Sequence, residues 1–298
     1  MTGKTKLKKD TKRTTKKIKG SNTVIQRNEL VEANNIQSND KTKGKTIKTT
    51  PLTAQEHRVL NTIISLIDAK AETFDTVKFD MKEFCEFLGM KYENHYTYLR
   101  NILRSLRQTE VTIESNDTIT EIGWIRKPVL HKGTGIMEIF FEDELKPFLV
   151  NIDKNFTNFK LEEFLKLKTK HGQSLYQLTA KAKGKRNHKF GYELIKLRKI
   201  FGIKEGAYEM YADFKRKVIL PAIKDLHEST GYKLGYKEIK VGRSVESIEF
   251  MIEERPNAEE KAKQKKTKKV TDVELPRVNK KGTLEEFEEF VTKLKEEA

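Results

Sequence analysis

The sequence of 298 residues lacks several features on which large classes of proteins depend. Its single cysteine, Cys85, excludes an intramolecular disulfide and a cysteine-rich zinc site, a composition typical of a reducing cytoplasm. No apolar run approaches the ~20 residues that a membrane-spanning helix needs. The charged N-terminus has no apolar run behind it, so we expect no secretory signal. The sequence therefore predicts a cytoplasmic protein without a membrane partner.

Motifs for catalysis on DNA or nucleotides are also missing. No two histidines are closer than 17 residues, so the paired histidines of a metal-dependent nickase are absent. Gly44-Lys45-Thr46 matches the end of a phosphate-binding loop, but Asn39 stands where the first glycine belongs. The carboxylates form no Asp-x-Asp-type cluster. We therefore expect no catalytic residue, no metal site and no cofactor, and a protein that binds rather than catalyses. The six histidines are His57, His95, His131, His171, His188 and His227.

Positive charge is abundant and unevenly distributed. The chain has 60 Lys and Arg against 44 Asp and Glu, a formal net charge of +16. Residues 1–50 and 151–252 carry +10 each, residues 51–150 carry −4, and residues 253–298 are neutral. Because a basic region attracts polyanions, nucleic acid is the expected partner of the segment 151–252.

The hydrophobic pattern divides the chain into four parts. Residues 1–50 are predicted to be basic and largely disordered, with an arm over 1–22, a linker over 35–50 and a short apolar patch between them. Residues 51–150 and 151–252 hold nearly all the aromatic and branched aliphatic side chains, and each is predicted to be a domain. Residues 253–298 are predicted to be a charged linker and a short amphipathic helix that begins at Thr283. That helix is either a partner-docking element or a marginal surface helix.

Both predicted domains have the order helix, strand, helix, helix, β-hairpin, which is the order of a winged helix. In the first domain, Thr53 and Glu56 predict a capping box, Asp80 caps a second helix, and residues 94–108 form a third. Strand-like alternation follows, including Ile122 and Trp124. The predicted fold class is α+β: two tandem winged-helix domains with a disordered basic N-terminal arm and a charged C-terminal tail.

The second domain is predicted to begin with one or two helices around a break near His171-Gly172. Further helices are expected at 192–201 and 207–228, the latter with a kink or a break just before Pro221. Two alternating strands then flank a tight turn at Gly242-Arg243.

Basic residues on the predicted helix 207–228 give the clearest binding pattern. In a winged helix, the helix before the hairpin enters the major groove. Lysine suits phosphates, whereas Arg216 can donate two hydrogen bonds to guanine. A cationic hairpin tip suits a DNA backbone or minor groove. A solvated basic stripe and an ordinary charged turn are the alternatives, and the arginines of the first domain could equally face solvent or pair with acids. The predicted DNA-binding residues are Tyr208, Tyr211, Lys215, Arg216, Lys217, Lys240, Arg243, Lys189, Arg100 and Arg104.

The runs 28–33 and 52–56 resemble the opening of plasmid replication initiators of the iteron-binding Rep family. The run 156–161, leading to 174–178, resembles the same family. Phe214-Lys215-Arg216-Lys217-Val218-Ile219-Leu220-Pro221-Ala222-Ile223-Lys224 resembles its recognition helix, and the run 242–250 resembles its wing. The resemblance spans about residues 24–252 and keeps the order of the elements. The basic arm, the insertion at 35–50 and the tail from 253 depart from it.

The resemblance implies two winged-helix domains, of which the second chiefly binds directly repeated origin sequences in double-stranded DNA. The first supports dimerisation and adds DNA contacts. Monomers would help to melt adjacent AT-rich DNA and recruit host replication proteins, such as a helicase or its loader. They would be in equilibrium with homodimers that repress the initiator's own gene, which would set plasmid copy number. Two alternatives stay open: a winged-helix transcription regulator that binds a palindromic operator, and a DNA-nicking enzyme with an unrecognised site.

Overall fold

The computed structural model describes residues 15–32, 46–72, 76–90, 92–186 and 188–254. Most of the predicted basic arm, part of the predicted linker, and residues 255–298 of the predicted tail, with its helix, lie outside the described residues. The first two residues of that tail, 253 and 254, belong to a strand and not to a linker. Within the described ranges, no helix is long and apolar enough to cross a membrane.

The N-terminal region contributes regular structure to the fold. Strand β1 (Thr23–Arg27) leads directly into helix α1 (Asn28–Glu32). The prediction of an arm over residues 1–22 is wrong for residues 15–22, because the Lys16 N–H donates to the Lys78 carbonyl at 2.9 Å and Ile18 packs against the core. The predicted linker is likewise wrong at its end, where Thr46–Thr49 forms strand β2. Ile47 is buried, and its apolar side chain is what the lysine- and threonine-rich composition concealed.

The first winged helix follows the predicted order. The capping box is confirmed, since the Glu56 N–H donates to Thr53 Oγ1 at 3.3 Å and the Thr53 N–H donates to Glu56 Oε2 at 2.7 Å. Asp80 caps the second helix as predicted. Strands β3, β7 and β6 form the sheet, in that order, and the hairpin β6–β7 is the wing. The elements are α2 (Ala54–Ile64), β3 (Val77–Asp80), α3 (Met81–Phe87), α4 (Tyr92–Gln108), β4 (Val111–Glu114), β5 (Ile119–Ile122), β6 (Ile125–His131) and β7 (Ile136–Phe141).

Strands β4 and β5 form a separate hairpin between α4 and the wing. They join β2 in a sheet of order β2-β4-β5. The predicted alternation through Trp124 is wrong, because β5 ends at Ile122 and Trp124 lies between strands with its side chain buried. A 3-10 turn (Asp143–Leu145) and helix α5 (Lys146–Leu149) then lead to strand β8 (Phe156–Lys160), which pairs antiparallel with β1.

The second winged helix repeats the order of the first. Strand β9 pairs with β11 in the sheet β10-β11-β9, and the hairpin β10–β11 is the wing. The elements are α6 (Leu161–Lys166), α7 (Lys170–Gly184), β9 (Lys189–Glu193), α8 (Leu194–Ile200), α9 (Tyr211–Phe214), a π-helical turn (Lys215–Ile219), α10 (Leu220–Ser229), β10 (Tyr232–Val241) and β11 (Ser244–Glu254). We call α9, the π-helical turn and α10 together the long helix.

The break between α6 and α7 lies at residues 167–169, before the predicted position near His171-Gly172. Helix α7 begins at Lys170, with Thr169 as its N-cap, so Gly172 lies inside the first turn. The buried carboxylate of Asp225 in α10 accepts hydrogen bonds from the Lys168 and Thr169 N–H groups. A Cβ on Gly172 would stand 2.3 Å from Asp225 Oδ2. The glycine therefore permits the close approach of α10 and does not interrupt the helix.

At the place of the predicted kink or break before Pro221, the helix continues as the π-helical turn. Proline has no N–H to donate to the carbonyl of Lys217 four residues earlier, and the ladder loosens there into the wider π geometry. The helix begins at Tyr211 and not at the predicted residue 207, because Gly206 and Tyr208 both have positive φ (78° and 53°). Tyr208 therefore lies in the loop before the helix.

Candidate nucleic-acid interface

The long helix divides its side chains between the core and the surface. Phe214, Val218 and Ile219 are fully buried, whereas Arg216 and Lys217 are exposed. The apolar residues at i, i+4 and i+5 anchor the helix against the domain, and the basic residues between them face outward. The run that looked most like a DNA-binding helix in the sequence thus presents its cations to solvent.

Lys215 and Tyr211 are held against the wing. The Lys215 ammonium donates to Glu238 Oε1 at 2.7 Å, and the Tyr211 hydroxyl donates to the same oxygen at 2.7 Å. The Lys215 Nζ also lies 5.6 Å from the ring centroid of Tyr236. The hydrogen bond from Lys215 lowers the pKa of Glu238 most, and the one from Tyr211 lowers it further. The same hydrogen bond between Lys215 and Glu238 raises the pKa of Lys215. Both groups are therefore charged near neutral pH, and the helix and the wing form one charged surface.

Arg216 and Lys217 share a carboxylate within the helix. Arg216 Nη2 lies 2.9 Å and Lys217 Nζ 3.6 Å from Asp213 Oδ1. The Arg216 side chain is nevertheless 72% exposed, so its guanidinium is accessible from solvent. Lys217 also lies over the ring of Tyr208, with Nζ 5.6 Å from the centroid. The structure thus brings Tyr208 and the helix together even though the tyrosine precedes the helix.

Arg198 of α8 organises the loop before the long helix, a role that no local sequence pattern indicates. Its Nη1 donates to the Ala207 carbonyl at 3.2 Å, and its Nη2 donates to the Glu209 carbonyl at 3.1 Å. Its guanidinium stacks 4.4 Å from the ring centroid of Phe214. Arg198 therefore fixes the start of the long helix relative to α8. The loop it holds ends at Met210, whose side chain is 71% exposed.

The wing presents two cations and two aliphatic side chains near its tip. Gly242 adopts φ = 61° in the turn, as the tight turn requires. Lys240 and Arg243 are exposed, and so are Ile239 (43%) and Val241 (63%). An irregularity in the β10–β11 register lies between Ile239 and Lys240. The tip thus combines positive charge with apolar surface, a combination that suits a DNA groove.

The other predicted residues lie elsewhere. Lys189 is exposed at the start of β9, opposite Met251, seven residues along β11 from the wing turn. Arg100 and Arg104 are exposed on α4 of the first winged helix. The Arg100 guanidinium lies 5.6 Å from the Tyr96 ring centroid, and Arg104 Nη1 donates to Asn101 Oδ1 at 3.4 Å. The helix and the wing of the second domain therefore hold one cluster, and these three residues lie outside it.

Three further residues contact this cluster and were not among the predicted DNA-binding residues: Asp213, Tyr236 and Glu238. The spacing of Asp213 from Arg216 and Lys217, at i+3 and i+4, was a usable signal. Glu238 gave none, because its approach to Lys215 depends on how the wing packs on the helix. In the described parts of the chain, no group of three or more His, Cys, Asp or Glu residues could hold a metal ion.

Comparison with known proteins identifies the family. Residues 23–180 match the family described as "Initiator Replication protein, WH1", and residues 193–252 match "Initiator Rep protein, WH2". The chain belongs to the replication initiator family. The first match alone covers more than half of the sequence, and the predicted resemblance to Rep initiators and the two winged-helix domains are confirmed.

The fold is also that of a solved initiator structure. The crystal structure of the Pi initiator protein in complex with iteron DNA matches with a TM-score of 0.61 and 19% identity, over 79% of this chain and 98% of that chain. Domains 2 and 3 of RctB match with TM-scores of 0.40 and 0.43 and identities of 14% and 11%. These matches cover 70% and 76% of this chain, and 86% and 98% of those chains.

Proposed function

We propose that this chain is a plasmid replication initiator that works in the cytoplasm and binds directly repeated origin sequences in double-stranded DNA. The observation that carries the proposal is the cluster of cations on the long helix and the adjoining wing, on a chain of the initiator family. The Pi initiator, whose fold the chain shares, was crystallised with iteron DNA. We propose that the chain acts through binding energy, without covalent chemistry.

In the proposed complex, the exposed half of the long helix enters the major groove. Arg216 has the exposure and the planar pair of donors needed to contact guanine O6 and N7. Lys217 suits phosphates, and Lys240 and Arg243 follow the backbone or the minor groove beside the helix. Such an interface neutralises several phosphates, so affinity should fall with salt with a slope of about −0.9 per phosphate.

Binding of several protomers to adjacent repeats would bend and strain the duplex, and this deformation would assist the opening of neighbouring AT-rich DNA. We propose that the first winged helix supports dimerisation, with Arg100 and Arg104 as auxiliary DNA contacts. A dimer that represses its own gene and a monomer that initiates would set copy number if the two differ in DNA affinity. Recruitment of a host helicase or its loader would follow opening.

Selection of duplexes from a random library by the purified protein, near physiological salt, tests the proposal. An asymmetric motif that recurs in tandem near the protein's own gene is the expected result. A lone palindrome would instead favour a transcription regulator. Metal-dependent nicking of supercoiled DNA would show that the protein is an enzyme.

Arg216→Ala tests the assignment of the long helix. We expect the variant to lose about 1–3 kcal/mol of discrimination between the selected motif and random DNA. Lys224→Ala is the matched control, because Lys224 is a 76% exposed cation of the same helix, two turns further along. An unchanged ratio of specific to nonspecific affinity in Arg216→Ala would remove Arg216 from the interface.

A further inference from the structure

The cations of the long helix are paired with carboxylates of the same domain. Arg216 and Lys217 contact Asp213 at 2.9 and 3.6 Å, and Lys215 contacts Glu238 at 2.7 Å. Asp213 comes from the helix and Glu238 from the wing, so each of the two elements supplies one acid to this surface. A DNA duplex that approaches this surface must compete with both carboxylates.

We propose that Asp213 and Glu238 are specificity determinants, which hold the DNA-binding cations until a cognate groove offers better partners. The inference rests on the proposed function, since it assigns a role to two acids within the same surface.

The physical basis is the difference between a DNA backbone and a cognate groove. Random DNA offers phosphates, which must displace a carboxylate of similar charge and are repelled by it. A cognate site also offers Arg216 a bidentate pair of acceptors on guanine. The carboxylate then vacated can accept a hydrogen bond from a cytosine amino group. The two acids should therefore weaken binding to random DNA more than binding to the cognate repeat.

Asp213→Asn and Glu238→Gln remove one negative charge each and keep an oxygen that can accept a hydrogen bond. Matched controls are Glu228→Gln, whose carboxylate pairs with Lys224 on the same helix, and Glu253→Gln, whose carboxylate pairs with Lys233 on the same hairpin. Glu228 lies 15 residues beyond Asp213, about 22 Å along a helix. That distance exceeds the Debye length of ~8 Å at physiological ionic strength, so the control reports the change in net charge alone.

The experiment measures binding of each purified full-length variant to a random duplex and to the duplex selected by the wild type. In Asp213→Asn and Glu238→Gln, affinity for the random duplex should rise roughly threefold to tenfold near 0.15 M salt. The salt dependence should steepen by up to ~0.9, because one more cation becomes available for a phosphate. Affinity for the selected duplex should change by less than ~2-fold, so discrimination falls.

An equal rise in affinity for both duplexes, or a rise in affinity no larger than in the controls, would overturn the inference and leave only an effect of net charge. A fall on both duplexes together with a lower urea midpoint would assign the acids a purely structural role. If the wild type selects no motif, the proposed function fails by itself. Affinities for the random duplex then still test whether the carboxylates compete with phosphates. An affinity that rises more in these variants than in the controls supports the competition, and an affinity that does not rise refutes it.

Discussion

Replacement of Asp225 by alanine should separate the long helix from α7. The Asp225 side chain is buried, with 6% exposure, and its two oxygens accept from the N–H groups of Lys168 and Thr169. They also accept from Thr169 Oγ1 at 2.7 Å and from Ser229 Oγ at 3.2 Å. One carboxylate thus joins the start of α7 to the end of the long helix, and it does so across 56 residues of sequence.

The expected loss of stability follows from these donors. Hydrogen bonds to a charged group contribute about 1.5–3 kcal/mol each, but Lys168 is an exposed residue, so its N–H can regain a hydrogen bond with water. We therefore expect Asp225→Ala to lower the free energy of unfolding by about 3 kcal/mol. In a structure of this size, that corresponds to a fall in Tm of roughly 6–12 °C.

Asp80→Ala is the control for this prediction. Asp80 also accepts two backbone N–H groups, from Lys82 at 2.9 Å and Glu83 at 3.0 Å, but it only caps α3 and lies near solvent. Loss of such a cap costs about 1 kcal/mol. Urea unfolding, followed by circular dichroism, compares the two variants. If Asp225→Ala lowers the free energy of unfolding no more than Asp80→Ala does, Asp225 acts as an ordinary helix cap and does not join the two helices.

Two further predictions concern the helix start and a buried histidine. Arg198→Ala should weaken binding to the selected duplex about tenfold, or about 1.4 kcal/mol, in a fluorescence anisotropy titration. Arg198→Lys should not restore it, because one ammonium cannot reproduce the planar fork that bonds two carbonyls; full rescue by lysine would contradict this. Burial lowers the pKa of His57 from 6.5 to about 4, so the unfolded chain binds more protons between those values. His57 should therefore contribute a fall of up to ~3 kcal/mol in the free energy of unfolding as the pH drops from 6.5 to 4, in addition to that of His171, whose pKa burial also lowers to about 4. His57→Gln should flatten that fall, and equal pH slopes in urea titrations of the two proteins would contradict the assignment.

Features set by neighbouring residues were predictable from the sequence. The capping box of Thr53 and Glu56 closes within three residues, and the turn at Gly242 needs only a left-handed glycine. The apolar periodicity around Phe214 and Val218 identified the buried side of the long helix, and its π-helical turn before Pro221 follows from the missing N–H. These signals are local, so they survive without knowledge of the tertiary fold.

Features set by distant segments were not predictable. Strand β1 pairs with β8 across 129 to 137 residues, and such short strands carry no signal of their partner. Gly172 resembled a helix breaker, but its role depends on Asp225 in another helix. Lys215 and Tyr211 look like free DNA contacts in the sequence, whereas the packing of the wing places Glu238 beside both. The assignment of individual side chains to DNA remains a prediction.

Interference by modified guanines tests the central claim, that the long helix contacts bases in the major groove. Each guanine of the selected duplex is replaced by 7-deazaguanine, which removes the N7 acceptor, and affinity is measured for the wild type and for Arg216→Ala. We expect at least one replacement to weaken binding of the wild type by about 1–3 kcal/mol and to leave binding of Arg216→Ala unchanged. Equal losses in both proteins at every guanine would contradict the placement of Arg216 in the major groove.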